Sequence, residues 1–353
     1  MNKLTVFFFF IATLLLTNIA TANNDKTLTI GILAPVEINA MNDIINGFKT
    51  QVLAETKDAK SSLYGYKVKF IVKNAQGDIN IQHSLLQQFN NNSNINIVAP
   101  IGTNPMRMAM TLVKNKPILA IDPTDAKTYL TKGGNNDNVT YNYEDIEPAK
   151  QIAFIRQVMV NKNKAEKTNT PFTHMAFVYS SDERIFIDAK KVSAAVKQVE
   201  PAVIDGETQQ VIQLQSIQLQ RLSDIIMDAR AIKPNNQAIF ILEDEPVVDG
   251  VNSLIQQAEK MKIPVIASDN GSVQSGAAFA LGISQTNVGK SAGSMVAEIV
   301  KNNYRAKDVK PLAVSNPTVY INPNGAVKQG IQPDYVKAAA KKFKYPVVVV
   351  SGK

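Results

Sequence analysis

Asp122 and Asp269 close two copies of one pattern. Pro117-Ile118-Leu119-Ala120-Ile121-Asp122 and Pro264-Val265-Ile266-Ala267-Ser268-Asp269 share one proline-to-aspartate spacing, and each reads as a short buried strand delivering a carboxylate at its C-terminal end. Each copy follows another apolar strand, a polar turn and a helix opened by proline. The first has Ile95–Ala99, Gly102-Thr103-Asn104 and Pro105; the second has Ala238–Leu242, Glu243-Asp244-Glu245 and Pro246. Matching punctuation in distant strand-helix-strand units implies equivalent positions in two similar α/β lobes, whose ligands bind beyond the C-terminal strand ends. Asp122, Asp244 and Asp269 are therefore expected to face one crevice, where charge-assisted hydrogen bonds would hold an ammonium. Singly, each acid also suits a turn or a helix cap.

Other residue types suit the opposite charge. Thr103 and Asn104 precede Pro105, a favoured first helical residue, so the N–H groups of that turn are expected to point into the crevice and receive a carboxylate. Ser180 and Ser181 are placed to offer the same from the second lobe. Acids at one end and donors at the other fit a zwitterion such as an amino acid. Tyr179 and Tyr141 are candidates to pack on its side chain, with core packing or a surface role the alternative for both.

Much other chemistry is absent. The 353-residue chain has no cysteine, which excludes disulfides, thiolate metal sites and a cysteine nucleophile. It has two histidines, His83 on an amphipathic helix and His174 before a strand, and neither HExxH nor G-x-S-x-G. Gly289-Lys290-Ser291 lacks the glycine of a phosphate loop, which Ser284 replaces, and reads as a helix interior with small residues for close packing. The expectation is a protein that is not an enzyme and takes no cofactor or metal. The net charge of +8 is spread thinly, with no arginine-rich block, so nucleic acid is not an expected partner.

The elements that must position these residues follow in order. Met1 to Ala22 has a basic start at Lys3, an apolar run from Val6 to Leu16 and the small-x-small site Ala20-Thr21-Ala22, the pattern of a cleaved secretory signal. Without a cysteine to acylate, a lipoprotein is not expected. Leu28–Leu33 and Tyr66–Val72 read as strands, with helices from Ala40 to Ala54 and around Ile81–Phe89, so residues 28–122 form a βαβαβαβ unit with a parallel sheet. Thr131–Thr140, rich in glycine and asparagine, suits a crossover or hinge. Ile146–Val160 opens a second lobe containing strands at His174–Tyr179, within Val203–Leu214, and at Pro317–Asn322. Val347–Val350 reads as an edge strand or a covering tail.

Over most of its length the chain resembles the periplasmic substrate-binding proteins of ABC transporters, in the branch that includes tryptophan and tyrosine binders. The likeness is carried by Val36-Glu37 with Gly47-Phe48, Ile101-Gly102-Thr103, Ile121-Asp122-Pro123, Gly133-Gly134-Asn135 with Asn138-Val139-Thr140, and Ile263–Asp269 with Gly276-Ala277-Ala278 and Leu281-Gly282. Ile321-Asn322 with Ala326 and Gly330-Ile331 extends it. The chain departs after the first strand, where Ile38-Asn39 stands for a histidine-proline pair and Asn42 for an aspartate.

The resemblance implies a type I periplasmic-binding fold: two Rossmann-like lobes with parallel sheets, a three-strand hinge and capture by closure. The implied N-terminal lobe is 23–140 with 283–305, and the C-terminal lobe is 141–282 with 306–353, hinged at Asn138–Tyr143, Ala277–Ile283 and before Pro317. The implied partners are a small amino-acid-like ligand and an inner-membrane ABC permease, for a periplasmic monomer. A cell-envelope regulator using the same clamshell to bind a protein is the alternative. The related DNA-binding repressors carry a helix-turn-helix where this chain has its leader.

Overall fold

The computed structural model describes residues 26–124, 126–131, 138–181, 183–198 and 203–351. The expected leader and the Gly133-Gly134-Asn135 turn lie outside them. The chain opens with β1 (Thr27–Ala34), α1 (Asn39–Glu55), β2 (Lys67–Asn74), α2 (Ile79–Asn91), β3 (Ile97–Pro100), α3 (Thr103–Leu112), β4 (Ile118–Ile121), α4 (Ala126–Thr131) and β5 (Val139–Glu144). It continues through α5 (Pro148–Glu166), β6 (His174–Ser180), α6 (Glu183–Ala195), a small hairpin of β7 (Val203–Ile204) and β8 (Glu207–Thr208), β9 (Gln213–Leu219) and α7 (Ile225–Arg230). Then come β10 (Ile239–Ile241), α8 (Glu245–Asp249), α9 (Val251–Met261), β11 (Val265–Ala267), α10 (Asn270–Gln274) and β12 (Phe279–Ile283). The closing part carries α11 (Gln285–Lys301), β13 (Leu312–Val314), β14 (Pro317–Ile321), α12 (Pro323–Lys328), α13 (Pro333–Phe343) and β15 (Val347–Val349).

Two sheets organise these elements. The first has the order β13-β5-β4-β3-β1-β2 and is parallel throughout; the second, β15-β14-β12-β11-β10-β6-β9, is parallel except where β14 runs against β12. Parallel strands need both faces covered, and their sequences show it. β1 is buried at every residue after Thr27, and β3, β4, β10 and β11 are buried throughout. Each sheet separates two apolar clusters, and a fully buried leucine, isoleucine or phenylalanine contributes about 1.5–3 kcal/mol. Read from the far edge, β2-β1-β3-β4-β5 matches β9-β6-β10-β11-β12. The proline-to-aspartate repeat thus falls on equivalent strands, β4 and β11.

The chain crosses between lobes three times: Asp145–Glu147 into α5, Ser284 into α11, and Ser315-Asn316 into β14. These points differ from the sequence boundaries. Val139–Glu144, placed in part in the C-terminal lobe and read as a hinge, is a full strand of the first sheet, paired with β4 through Val139–Asn142 and with β13 through Asn142–Glu144. Residues 306–314 also belong to the first lobe, because β13 adds to the edge of β5. The segment Val203–Leu214 forms a two-residue-arm hairpin before β9. Val347–Val349 is an edge strand on β14, with all three valines exposed.

Helix α11 returns to the first lobe by lying against α1, an approach that requires glycine. A Cβ on Gly47 would collide with the carbonyl of Thr286, one on Gly289 with the carbonyl of Ile44, and one on Gly293 would reach 2.8 Å from the carbonyl of Phe48. The Gly289-Lys290-Ser291 run is therefore a packing surface. Asn142, fully buried on β5, ties the same contact to the sheet by donating from Nδ2 to the Val288 carbonyl at 2.8 Å. Gly289→Ala forces the helices apart and is expected to destabilise the protein by about 3 kcal/mol, by overpacking. Urea unfolding followed by circular dichroism measures it; an unchanged midpoint contradicts the assignment.

Candidate ligand-binding site

Four carboxylates from the two lobes converge where the strand ends face each other. Asp122 follows β4 and Glu144 ends β5 in the first lobe; Glu243 follows β10 and Asp269 follows β11 in the second. Glu144 senses the charges of the other three, and Glu243 those of Asp269 and Asp122. Burial raises Asp122 to about 6, opposed by a hydrogen bond from the Glu144 backbone N–H. Burial first, then the charges of Asp122, Glu243 and Asp269, push Glu144 well above the ordinary range, although Gln285 Nε2 donates to its Oε1 at 3.0 Å. Burial and the charges of Asp269 and Asp122 raise Glu243 to about 8. Glu243 lies between both lobes yet keeps an exposed surface, so cleft water screens part of that repulsion.

The backbone builds these positions. Asp122 adopts φ 53°, a left-handed conformation that aspartate tolerates, and its N–H donates to Oδ1 of Asn142 at 3.1 Å. Asn142 thus joins the end of β4 to the start of α11. Asp269 caps α10: its carboxylate accepts from the Ser272 N–H and hydroxyl, both at 2.7 Å. Burial raises Asp269, and these bonds pull it back. The cap role and the cleft position coincide in this residue.

Asp244 does not join the cluster as expected. It is 1% exposed, and its carboxylate accepts the Ser180 N–H, so it fastens the ends of β10 and β6 together. Its neighbour Glu243 occupies the cleft instead. Ser180 is buried; Ser181 is exposed and donates its N–H to Leu219 O at 3.1 Å. Both line a cavity of about 400 Å³ with Leu219, Arg221, Glu245 and Asp249. Helix α3 begins at Thr103, not after Asn104, because Gly102 at φ 88° supplies the cap in a conformation open to glycine. Its first N–H groups still lie at the strand-end face, but the Thr103 hydroxyl is engaged with Thr124, accepting its N–H at 2.9 Å. Tyr179 stacks on Phe177 at 4.9 Å and packs into the second lobe's core. Tyr141 is buried against Tyr143. Both pack within their own lobe, Tyr141 buried and Tyr179 half-buried.

Glu144 and Glu243 were not singled out from sequence. The signal for Glu144 was the alternation Thr140, Asn142, Glu144 on a central strand, a polar face that a buried sheet does not otherwise tolerate. Tyr320, on β14, also adjoins the site: burial raises its hydroxyl, which bonds Ser284, and Glu144 acts on it.

Two doubly wound lobes, three crossovers and a polar cleft between opposed strand ends define a type I ligand-binding protein of the periplasmic-binding fold. The ABC transporter substrate-binding protein family matches residues 29–344, and the chain belongs to it. It is 27% identical over 331 residues to an uncharacterized protein of Rickettsia prowazekii, spanning 94% of this chain and 93% of that one. It is 25% identical over 288 residues to a tyrosine-binding protein of Clostridioides difficile, spanning 79% and 74%. Among solved structures, the ABC domain from Streptococcus pneumonia in complex with L-Trp superimposes with TM-score 0.65 at 20% identity, covering 92% of this chain and 100% of that one. The ligand-free, open structure of a Clostridium difficile substrate-binding protein with adhesive properties gives 0.67 at 19% identity, with the same coverage. The family binds a small molecule and works with an ABC permease. No helix among the described residues is long and apolar enough to cross a membrane, and those residues contain no cluster suited to a metal.

The adjacent acids Glu243 and Asp244 are expected to behave oppositely. Asp244→Ala strands the Ser180 N–H and should cost about 1–3 kcal/mol in chemical denaturation. The raised value of Glu243 means that folding favours its protonated form. Its destabilising effect is absent at pH 4 and grows as pH rises towards 8. Glu243→Gln should therefore match the parent's melting temperature at pH 4 and exceed it at pH 8; the reverse order contradicts this electrostatic account.

Proposed function

We propose that the chain is the solute-capturing receptor of an ABC importer and takes a small zwitterion, an amino acid or close relative with an aromatic side chain as one option, by closure of the two lobes. The carrying observation is the convergence of Asp122, Glu144, Glu243 and Asp269 from both lobes on one cleft. A ligand ammonium placed there relieves repulsion in both lobes at once. The backbone N–H groups that open α3 at Thr103 and Asn104, with the exposed Ser181 hydroxyl opposite, are the donors proposed for a carboxylate, the N–H groups of Ser180 and Ser181 being bonded within their own lobe. The cavity beside Ser180 has room for a side chain. The ligands of two similar proteins, tyrosine and L-Trp, support an amino acid. The pattern of residues 1–22 supports export to the periplasm with the leader removed.

Thermal-shift screening of the protein starting at Asn23 against amino acids and related amines identifies the ligand, since a molecule that binds only the folded state raises the melting temperature. Asp269→Asn retains an acceptor for the Ser272 cap and is expected to weaken binding of the identified ligand by about 2–5 kcal/mol in calorimetry. Small-angle scattering should show compaction on binding. An uncharged sugar as ligand, or parental affinity in the variant, overturns the assignment of Asp269.

A further inference from the structure

We propose that Asp122, Glu144, Glu243 and Asp269 form an electrostatic gate, whose mutual repulsion holds the lobes apart until positive charge, a proton or the cationic group of a ligand, enters between them. The cluster is divided evenly across the hinge, two acids on each lobe. Opening the clamshell separates the pairs, while closing it compresses them in surroundings where burial weakens screening. Glu144 stands beside the first crossover, and Gln285 at the start of α11, just past the second, bonds its carboxylate at 3.0 Å. The charge is thus fixed to the pivot and follows any rotation about it.

Among the described residues, no cation acts on these acids. Asp122, Gln285, Tyr320, Glu243 and Asp269 surround Glu144, while Asp269 and Asp122 act on Glu243. Among the described residues, the charges acting on the acids of the cluster are other acids of it. Asp244 is turned away to Ser180. In the arrangement described here Asp122 already stands at about 6 and Glu243 at about 8, and bringing the lobes closer pushes both in the same direction. Closure therefore takes up protons, and falling pH favours the closed arrangement. A ligand ammonium takes the place of those protons, so ligand capture releases them and tightens as pH rises through the same window.

The gate rests on the reading of the cleft as the ligand site, yet ligand-free protein decides it independently of any ligand screen. Scattering from the parent is expected to show a falling radius of gyration from pH 8 to pH 5, with a midpoint between 6 and 8. The double variant Glu144→Gln/Glu243→Gln, which keeps an acceptor for Gln285, should be compact already at pH 8 and respond weakly to pH. Circular dichroism at both pH values establishes that each protein is folded. A parent radius constant across the range, or a folded double variant with the full parental response, overturns the gate. The pH series on the parent stands alone if the double variant fails to fold.

Discussion

The glycine contact between α1 and α11 is the constraint on which the two-lobed arrangement depends. Carbonyls of one helix occupy the space where side chains of the other would stand, so the helices lie almost backbone to backbone. That contact returns the chain to the first lobe after it has built most of the second, and it makes the second crossover obligatory. Asn142 extends it into the sheet: one amide group holds the Val288 carbonyl of α11 and the Asp122 N–H beyond β4. The geometry of the cleft thus descends from a packing requirement far from solvent. Asp122 sits where it does because its backbone is held by the residue that anchors the returning helix.

The repeated architecture was legible because its signals are local. Proline starts, short apolar runs and terminal aspartates fall within six-residue windows, and they put β4 and β11 at equivalent sheet positions. The family likeness carried the fold further and agrees with the match over residues 29–344. The crossovers were not legible to the same degree. Leu312-Ala313-Val314 is too short to show a period, and its membership of the first sheet depends on an edge that only the folded lobe presents. The glycine and asparagine run before β5 suggested a hinge early, whereas regular pairing continues through Asn142.

The site divides in the same way. Asp269 stands out by its strand-end position; the structure shows it capping α10, and its charge acts on Glu144 and Glu243, so the cap does not exclude a part in the site. In the turn Glu243-Asp244-Glu245 every residue is acidic, and composition offers no means of telling which carboxylate faces its own lobe. The buried Ser180 N–H decides it by claiming Asp244. The tyrosines show the converse: an aromatic near a strand end is drawn to the nearest apolar cluster, as Tyr179 is to Phe177.

The exchange of segments between lobes also dictates an order of assembly. The Ser62 hydroxyl meets the carbonyl of Ala297, 235 residues away, and Thr140 meets Val309 across 169. The first lobe therefore cannot complete its edge or its helical cover until nearly the entire polypeptide has been synthesised. Pairings so distant in sequence make folding slow, and the nascent N-terminal portion, with the β5 edge open and one sheet face uncovered, is the interval in which the chain is most exposed to misassociation. Maturation of the lobe that is translated first waits on Leu312–Val314, which follow most of the second lobe in the chain.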